Sequence, residues 1–193
     1  MKRLLIIAAT ACALTGISMA APVYYFTRLS GANEFPANAS AGTGTAEVLF
    51  DDGANTMRVI VRFEGLTAAN TAAHIHCCTA NAFDITQTAG VATPTPTFPG
   101  FPAGTAGFYD QTFDLTLASS YRAGFITANG GSPAGAEAAL GAGLLAGKAY
   151  LNVHSSVYPG GEIRGFLTLA PEPGTWVLMR SALAGLAFLR RRR

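Results

Sequence analysis

His74 and His76 are separated by one residue, and on an extended chain that spacing sends both imidazoles to the same side. The third and last histidine, His154, follows Tyr150 and Asn152 at alternate positions, opposite Leu151 and Val153. All three therefore project away from an aliphatic face or toward a strand end. Imidazole is a common ligand for copper and zinc, and a His-X-His pair with one distant histidine is a usable three-ligand set. Cys77 follows the pair directly, and either its thiolate or a water can complete a tetrahedron whose metal–nitrogen distances are about 2.0–2.1 Å. His74, His76, His154 and Cys77 are accordingly the candidate ligands for copper or zinc. The competing reading is a hydrogen-bonded histidine pair, with His154 elsewhere on a solvated strand.

Other reactive constellations are sparse. In an exported chain Cys77 and Cys78 have only each other to pair with, because Cys12 falls in the segment expected to be removed. A vicinal disulfide and two free thiols both stay open, and the Cys-X-X-Cys spacing of redox pairs is missing. The sequence holds no Gly-X-Ser-X-Gly elbow, no phosphate-binding glycine loop and no conspicuous carboxylate pair. Ser155 and Ser156 follow His154, but no acid is evidently placed to orient that ring, so no catalytic residue is assigned. Tyr158-Pro159-Gly160-Gly161-Glu162-Ile163-Arg164-Gly165 reads as a turn into a final strand, with Glu162 and Arg164 on one face in position to pair.

The elements that must position these residues are strands. Met57, Val59, Val61 and Phe63 alternate with Arg58, Ile60 and Arg62, the period-two signature of a half-buried strand. Residues 45–50, 71–77, 113–117, 149–154 and 163–169 read similarly, and Asp51-Asp52-Gly53-Ala54-Asn55 joins two strands at hairpin distance. The expected core is Met57, Val59, Val61, Phe63, Phe113, Leu115, Leu117, Leu151, Val153, Ile163 and Leu167. Residues 89–107, with four prolines and four glycines, read as a long ordered loop. Ser132-Pro133 opens a short helix over 132–147, and a second helical turn over 119–129 would turn Tyr121 and Phe125 inward. The fold class is all-β: an antiparallel β-sandwich with Greek-key-like connections and one or two short docked helices.

Length and charge narrow the rest. The 193 residues suit one domain of ordinary size, and only 12% of them are charged, which argues against a charge-rich disordered tail. Residues 21–170 carry six basic and ten acidic side chains, a net of −4. That removes the electrostatic case for nucleic-acid binding. Met1-Lys2-Arg3, the apolar run from Leu4 to Gly16 and the small residues Ser18-Met19-Ala20 read as a signal peptide over 1–20, cleaved by signal peptidase. At the other end, 171–193, an apolar stretch from Trp176 to Leu189 precedes four arginines, a stop-transfer pattern that predicts a hydrophobic membrane-anchoring helix.

Two resemblances follow from these motifs. Pro171-Glu172-Pro173, the short apolar segment and Arg190, Arg191, Arg192 and Arg193 resemble the PEP-CTERM sorting signal. That implies an exosortase as partner, transient inner-membrane anchoring, removal of the tail, and delivery to the cell envelope or extracellular matrix. Arg180 interrupts the apolar segment and departs from the pattern. Within 21–170, Leu29-Ser30-Gly31-Ala32-Asn33-Glu34-Phe35-Pro36, Ala72-Ala73-His74-Ile75-His76 and Asn152-Val153-His154 running into Tyr158 to Gly165 resemble the CHRD domain first described in chordin. The resemblance implies an extracellular β-sandwich and no agreed reaction. Cys77-Cys78 departs from the glycine-containing turn usual after the histidine pair. The His-X-His strand also resembles, more faintly, the copper-binding strand of copper/zinc superoxide dismutases, whose bridging and remaining ligand histidines have no counterparts here. Two functional classes result: an exported, non-enzymatic binding or adhesion module with exopolysaccharide or matrix partners, and a copper- or zinc-binding, redox-active protein.

Overall fold

The computed structural model describes residues 21–170. The signal peptide expected over 1–20 and the sorting and anchor segment expected over 171–193, with Pro171, Glu172, Pro173 and Arg190 to Arg193, lie outside the described residues. Among the described residues no helix is long and apolar enough to cross a membrane.

The chain forms strands β1 (Val23–Ser30), β2 (Thr43–Asp51), β3 (Thr56–Glu64), β4 (Asn70–His76) and β5 (Gly107–Asp114), then helices α1 (Ala123–Ala128) and α2 (Pro133–Leu145). Strands β6 (Tyr150–Ser155), β7 (Ile163–Phe166) and β8 (Thr168–Leu169) complete it. Every pairing is antiparallel, in the order β4-β6-β7-β1-β2-β3-β5, with β8 added to β1. The expected all-β class holds. One continuous core joins Val48, Val59 and Val61 from one half of the sheet to Ile75, Leu151, Val153 and Ile163 from the other. The sheet therefore closes over its own apolar face, as alternation along each strand requires.

Local chemistry explains the connections. Asp51 Oδ1 accepts the Ala54 amide at 2.8 Å and Asn55 takes a positive φ of 52°, which closes the β2–β3 hairpin. Ser132 caps α2 by accepting from the Gly135 amide at 3.2 Å, with Pro133 in its first turn. Tyr121, just before α1, and Phe125, within it, are buried as expected. The long loop runs along the free edge of β4: the Thr93 and Thr97 hydroxyls accept the Ile75 and Ala73 amides at 2.9 and 3.0 Å. The Ala92 and Phe98 amides donate to the Ile75 and Ala73 carbonyls at 2.9 Å each, so the edge is not left open for another chain.

Three expectations need correction. The strand read over 113–117 is β5, Gly107–Asp114, so the loop ends earlier and the strand starts earlier. Leu117 is 52% exposed and outside the core. Asp114 accepts from both the amide and the hydroxyl of Thr116, at 2.9 and 2.6 Å, and this turn ends the alternation before Leu117. Glu162 and Arg164 do not pair. Glu162 accepts from Ser40 Oγ and the Thr67 amide at 2.6 Å each, while Arg164 reaches Glu34 at 3.7 Å.

Candidate metal centre

Antiparallel register builds the site. His74 lies opposite Asn152, His76 opposite Tyr150, and Ala72 opposite His154 across the β4–β6 pair. Because side chains alternate, Ala73, Ile75, Leu151 and Val153 enter the core, while His74, His76, Tyr150, Asn152 and His154 share the other face. That face is not solvated. His74, Asn152 and His154 are buried beneath the segments around Ala89 and Pro159, and His76 is half-buried.

The three imidazoles meet there. One ligand nitrogen from each ring lies within 4.8 Å of the others. The His74 and His154 ring centroids are 4.7 Å apart, and those of His74 and His76 are 4.9 Å apart. Nitrogens bound to one ion at about 2.0–2.1 Å lie no more than about 4 Å from each other, so sharing an ion requires the three rings to draw slightly closer.

The hydrogen bonds assign the lone pairs. His76 Nδ1 donates to the Ala89 carbonyl at 2.8 Å, and His154 Nδ1 donates to the Pro159 carbonyl at 3.0 Å. A neutral ring that donates from Nδ1 keeps its Nε2 lone pair free, and backbone carbonyls in this role orient metal-ligating histidines. Among the described residues, His154 Nε2 is buried without a hydrogen-bond partner. His74 Nδ1 lies 3.2 Å from His76 Nε2 and supplies the proton of that contact, since the His76 proton is on Nδ1. Moving the His74 proton to Nε2 would turn all three inward nitrogens into donors to a cation. Among the described residues, no acidic side chain belongs to this cluster.

Electrostatics keep the rings neutral. Burial is the main cause for each, lowering His74 to about 3, with further repulsion from His154, His76 and Arg122. His76 falls to about 4, its bond to Ala89 only partly offsetting burial. His154 is lowered as well, by burial opposed by its bond to Pro159. Tyr150 stacks on His76 at 4.7 Å with an interplanar angle of 7°, and the Arg164 guanidinium lies 4.8 Å from the centre of the Tyr150 ring. The Tyr150 hydroxyl accepts the Ala89 amide at 3.1 Å, so one tyrosine holds both the His76 ring and the residue to which that ring donates.

Cys77, proposed from sequence as a fourth ligand, is not part of the cluster. Its parity is that of Ile75, it sits in the core, and its sulfur is bonded to Cys78. Of the two cysteine states left open, the structure has the disulfide. Gly143 lets α2 approach it, because a Cβ there would collide with both sulfurs. A fourth position would fall to water or an exogenous ligand.

Sequence reasoning missed the polar layer beside the histidines. Glu34 is 5% exposed and Arg164 1%. Arg164 donates to the carbonyls of Asn33, Ile85 and Gln87, tying the segment after β1 to the loop that covers the site. Burial outweighs the Arg164 charge and an Asn152 hydrogen bond and holds Glu34 up at about 7. Glu34, Asn152 and Arg164 were visible only as members of motifs, because their contacts join residues about as far apart in sequence as this domain allows.

No significant match to a curated protein or to a solved structure was found. The family model of the CHRD domain matches residues 25–167, which takes in the three histidines, Glu34 and Arg164, and the chain belongs to the CHRD domain family.

Proposed function

We infer that this domain binds a transition-metal ion through His74, His76 and His154, and that copper is the preferred ion. The observation that carries the reading is the convergence of three neutral imidazoles, His74 and His154 buried and His76 half-buried, two of them oriented by backbone carbonyls, on a point where, among the described residues, the His154 Nε2 lone pair has no partner. Imidazole donors favour copper over zinc in the usual order of divalent affinities. The terminal motifs support an exported setting, with the module displayed at the cell envelope or in an extracellular matrix after signal-peptide removal and exosortase sorting.

Metal analysis of protein exported in the presence of both ions tests this. One equivalent of copper per chain is expected, and copper no higher than in an unrelated exported protein would contradict it.

The pH dependence of binding follows from the depressed histidines. Protons compete with the metal only where the rings titrate, lowered to about 3 for His74 and about 4 for His76, and lowered also for His154. Affinity is therefore expected to persist to lower pH than that of exposed histidines, which would lose it from about pH 6.5 downward. Competition titrations at fixed pH read this directly. The metal-free fold follows the same sign: its histidine contribution is complete above about pH 6.5 and is lost as pH falls toward the folded values.

A further inference from the structure

We propose that the apolar segment at residues 176–189, in the chain that still carries it, docks in the groove between helix α2 and the ends of strands β1 and β2, with Arg180 against Asp52 and Glu137. The groove has a volume of about 470 Å³. One side is Val23, Tyr25 and Phe50, side chains of core parity at the end of the β1–β2 pair, where Val23 lies opposite Phe50. The other side is the part of α2 that carries Ala138, Gly141, Ala142 and Leu145. No histidine lines it, and docking there is independent of metal.

Two features of the groove call for a covering segment that carries a cation. A helix that faces water normally has polar residues on its outer side, and α2 does not. Its one polar side chain, Glu137, is buried, while Ala134, Ala138, Ala142 and Leu145 are exposed, the last by 69%. Glu137 also lacks a cation. It is 8% exposed, forms no ion pair among the described residues, and has the Asn55 amide group 3.1 Å away. Burial, then repulsion from Asp52 and Asp114, raises the Glu137 carboxyl, and a guanidinium beside it would offset that repulsion. Asp52 and Glu137 both line the groove, and no basic side chain does.

Connectivity and composition name the occupant. The Ala170 amide donates to the Tyr24 carbonyl at 2.9 Å, between Val23 and Tyr25, and α2 packs beside β8. The described fold therefore ends at the groove. Arg180 is ten residues further on, a reach of roughly 15 Å as helix and roughly 33 Å extended, which brackets the roughly 20 Å length of α2. Residues 176–189 carry one charge, Arg180, among large apolar side chains such as Trp176, Leu178 and Leu183. An apolar groove with two carboxylates in its lining suits an apolar segment interrupted by one cation. A guanidinium is costly at the centre of a bilayer, whereas here it meets charged acceptors.

Trp176 is the only tryptophan in the sequence, so its fluorescence in the full chain, without detergent or lipid, tests the docking directly. Emission blue-shifted from that of the urea-unfolded chain, protected from acrylamide and unchanged on dilution, is expected. The Ala138→Lys/Ala142→Lys variant fills the groove wall and repels Arg180, so it should lose both the shift and the protection. Both positions are exposed and lysine is a good helix former, so circular dichroism should be unchanged. Arg180→Glu should lose protection too, and adding Asp52→Lys, at an exposed site, should restore it by reversing the pair. A folded wild type whose Trp176 is as accessible as in urea would overturn the proposal, as would equal protection in the double-lysine variant. Protection lost on dilution would assign the contact to a second copy and overturn it as well.

Discussion

Replacing Val61 with aspartate is expected to abolish folding. Val61 is fully buried at the middle of β3, paired with Ala46 on one side and Tyr109 on the other. The substitution removes about 1.5–3 kcal/mol of side-chain burial and places an unpaired carboxylate among Val48, Val59 and Phe63, at a further cost of several kcal/mol. A domain of this size has only about 5–15 kcal/mol in total. Circular dichroism and protease resistance of the purified variant check this, and a stable product with the wild-type spectrum would show that the face of β3 had been misassigned.

Replacing Arg164 with alanine should cost about 3–5 kcal/mol, the usual consequence of removing one member of a buried ion pair. Glu34 would be left without its cation, and the carbonyls of Asn33, Ile85 and Gln87 without their donor. The loss should depend on pH in a defined direction. Glu34 already stands at about 7, above its ordinary value of 4.5. A carboxyl held above its unfolded value contributes fully below about pH 4.5 and loses that contribution as pH rises through its folded value. Urea denaturation of the variant should therefore show a larger deficit at about pH 8 than at about pH 5. A deficit that does not change with pH would mean that Glu34 is not the group left unpaired.

Period-two patterning made β2, β3, β4 and β6 legible, because one face of each strand is apolar and most of the residues between are polar. It failed at β1. There Tyr24 and Phe26 are half-buried on the outer face while Tyr25 and Leu29 are in the core, so consecutive aromatics hide the alternation. In β5 the pair Phe108 and Tyr109 has the same effect, with Phe108 outside and Tyr109 inside. The helix over α2 was readable from its Ser132-Pro133 start, which acts locally.

The candidate site divides along similar lines. Spacing alone put His74 and His76 on one side of a strand, and the parity of His154 against Leu151 and Val153 put it on a non-core face. Spacing could not show that β4 and β6 are neighbours, since their pairing spans most of the domain. Cys77 was a candidate only because it is adjacent in sequence, and adjacency on a strand means the opposite face. Glu34, Asn152 and Arg164 form a layer assembled from β6, β7 and the turn after β1, and no local pattern marks a contact between such distant segments.

The central claim, a copper-binding centre of three histidines, is tested most directly by competition titration of copper against the wild type and the His74→Ala/His76→Ala/His154→Ala variant, with circular dichroism confirming that both are folded. The wild type is expected to bind one equivalent of copper, more tightly than zinc, and the variant to lose affinity by more than the roughly 10–100-fold that loss of a single outer hydrogen bond costs a metal site. Unchanged copper binding by the folded variant would contradict the account.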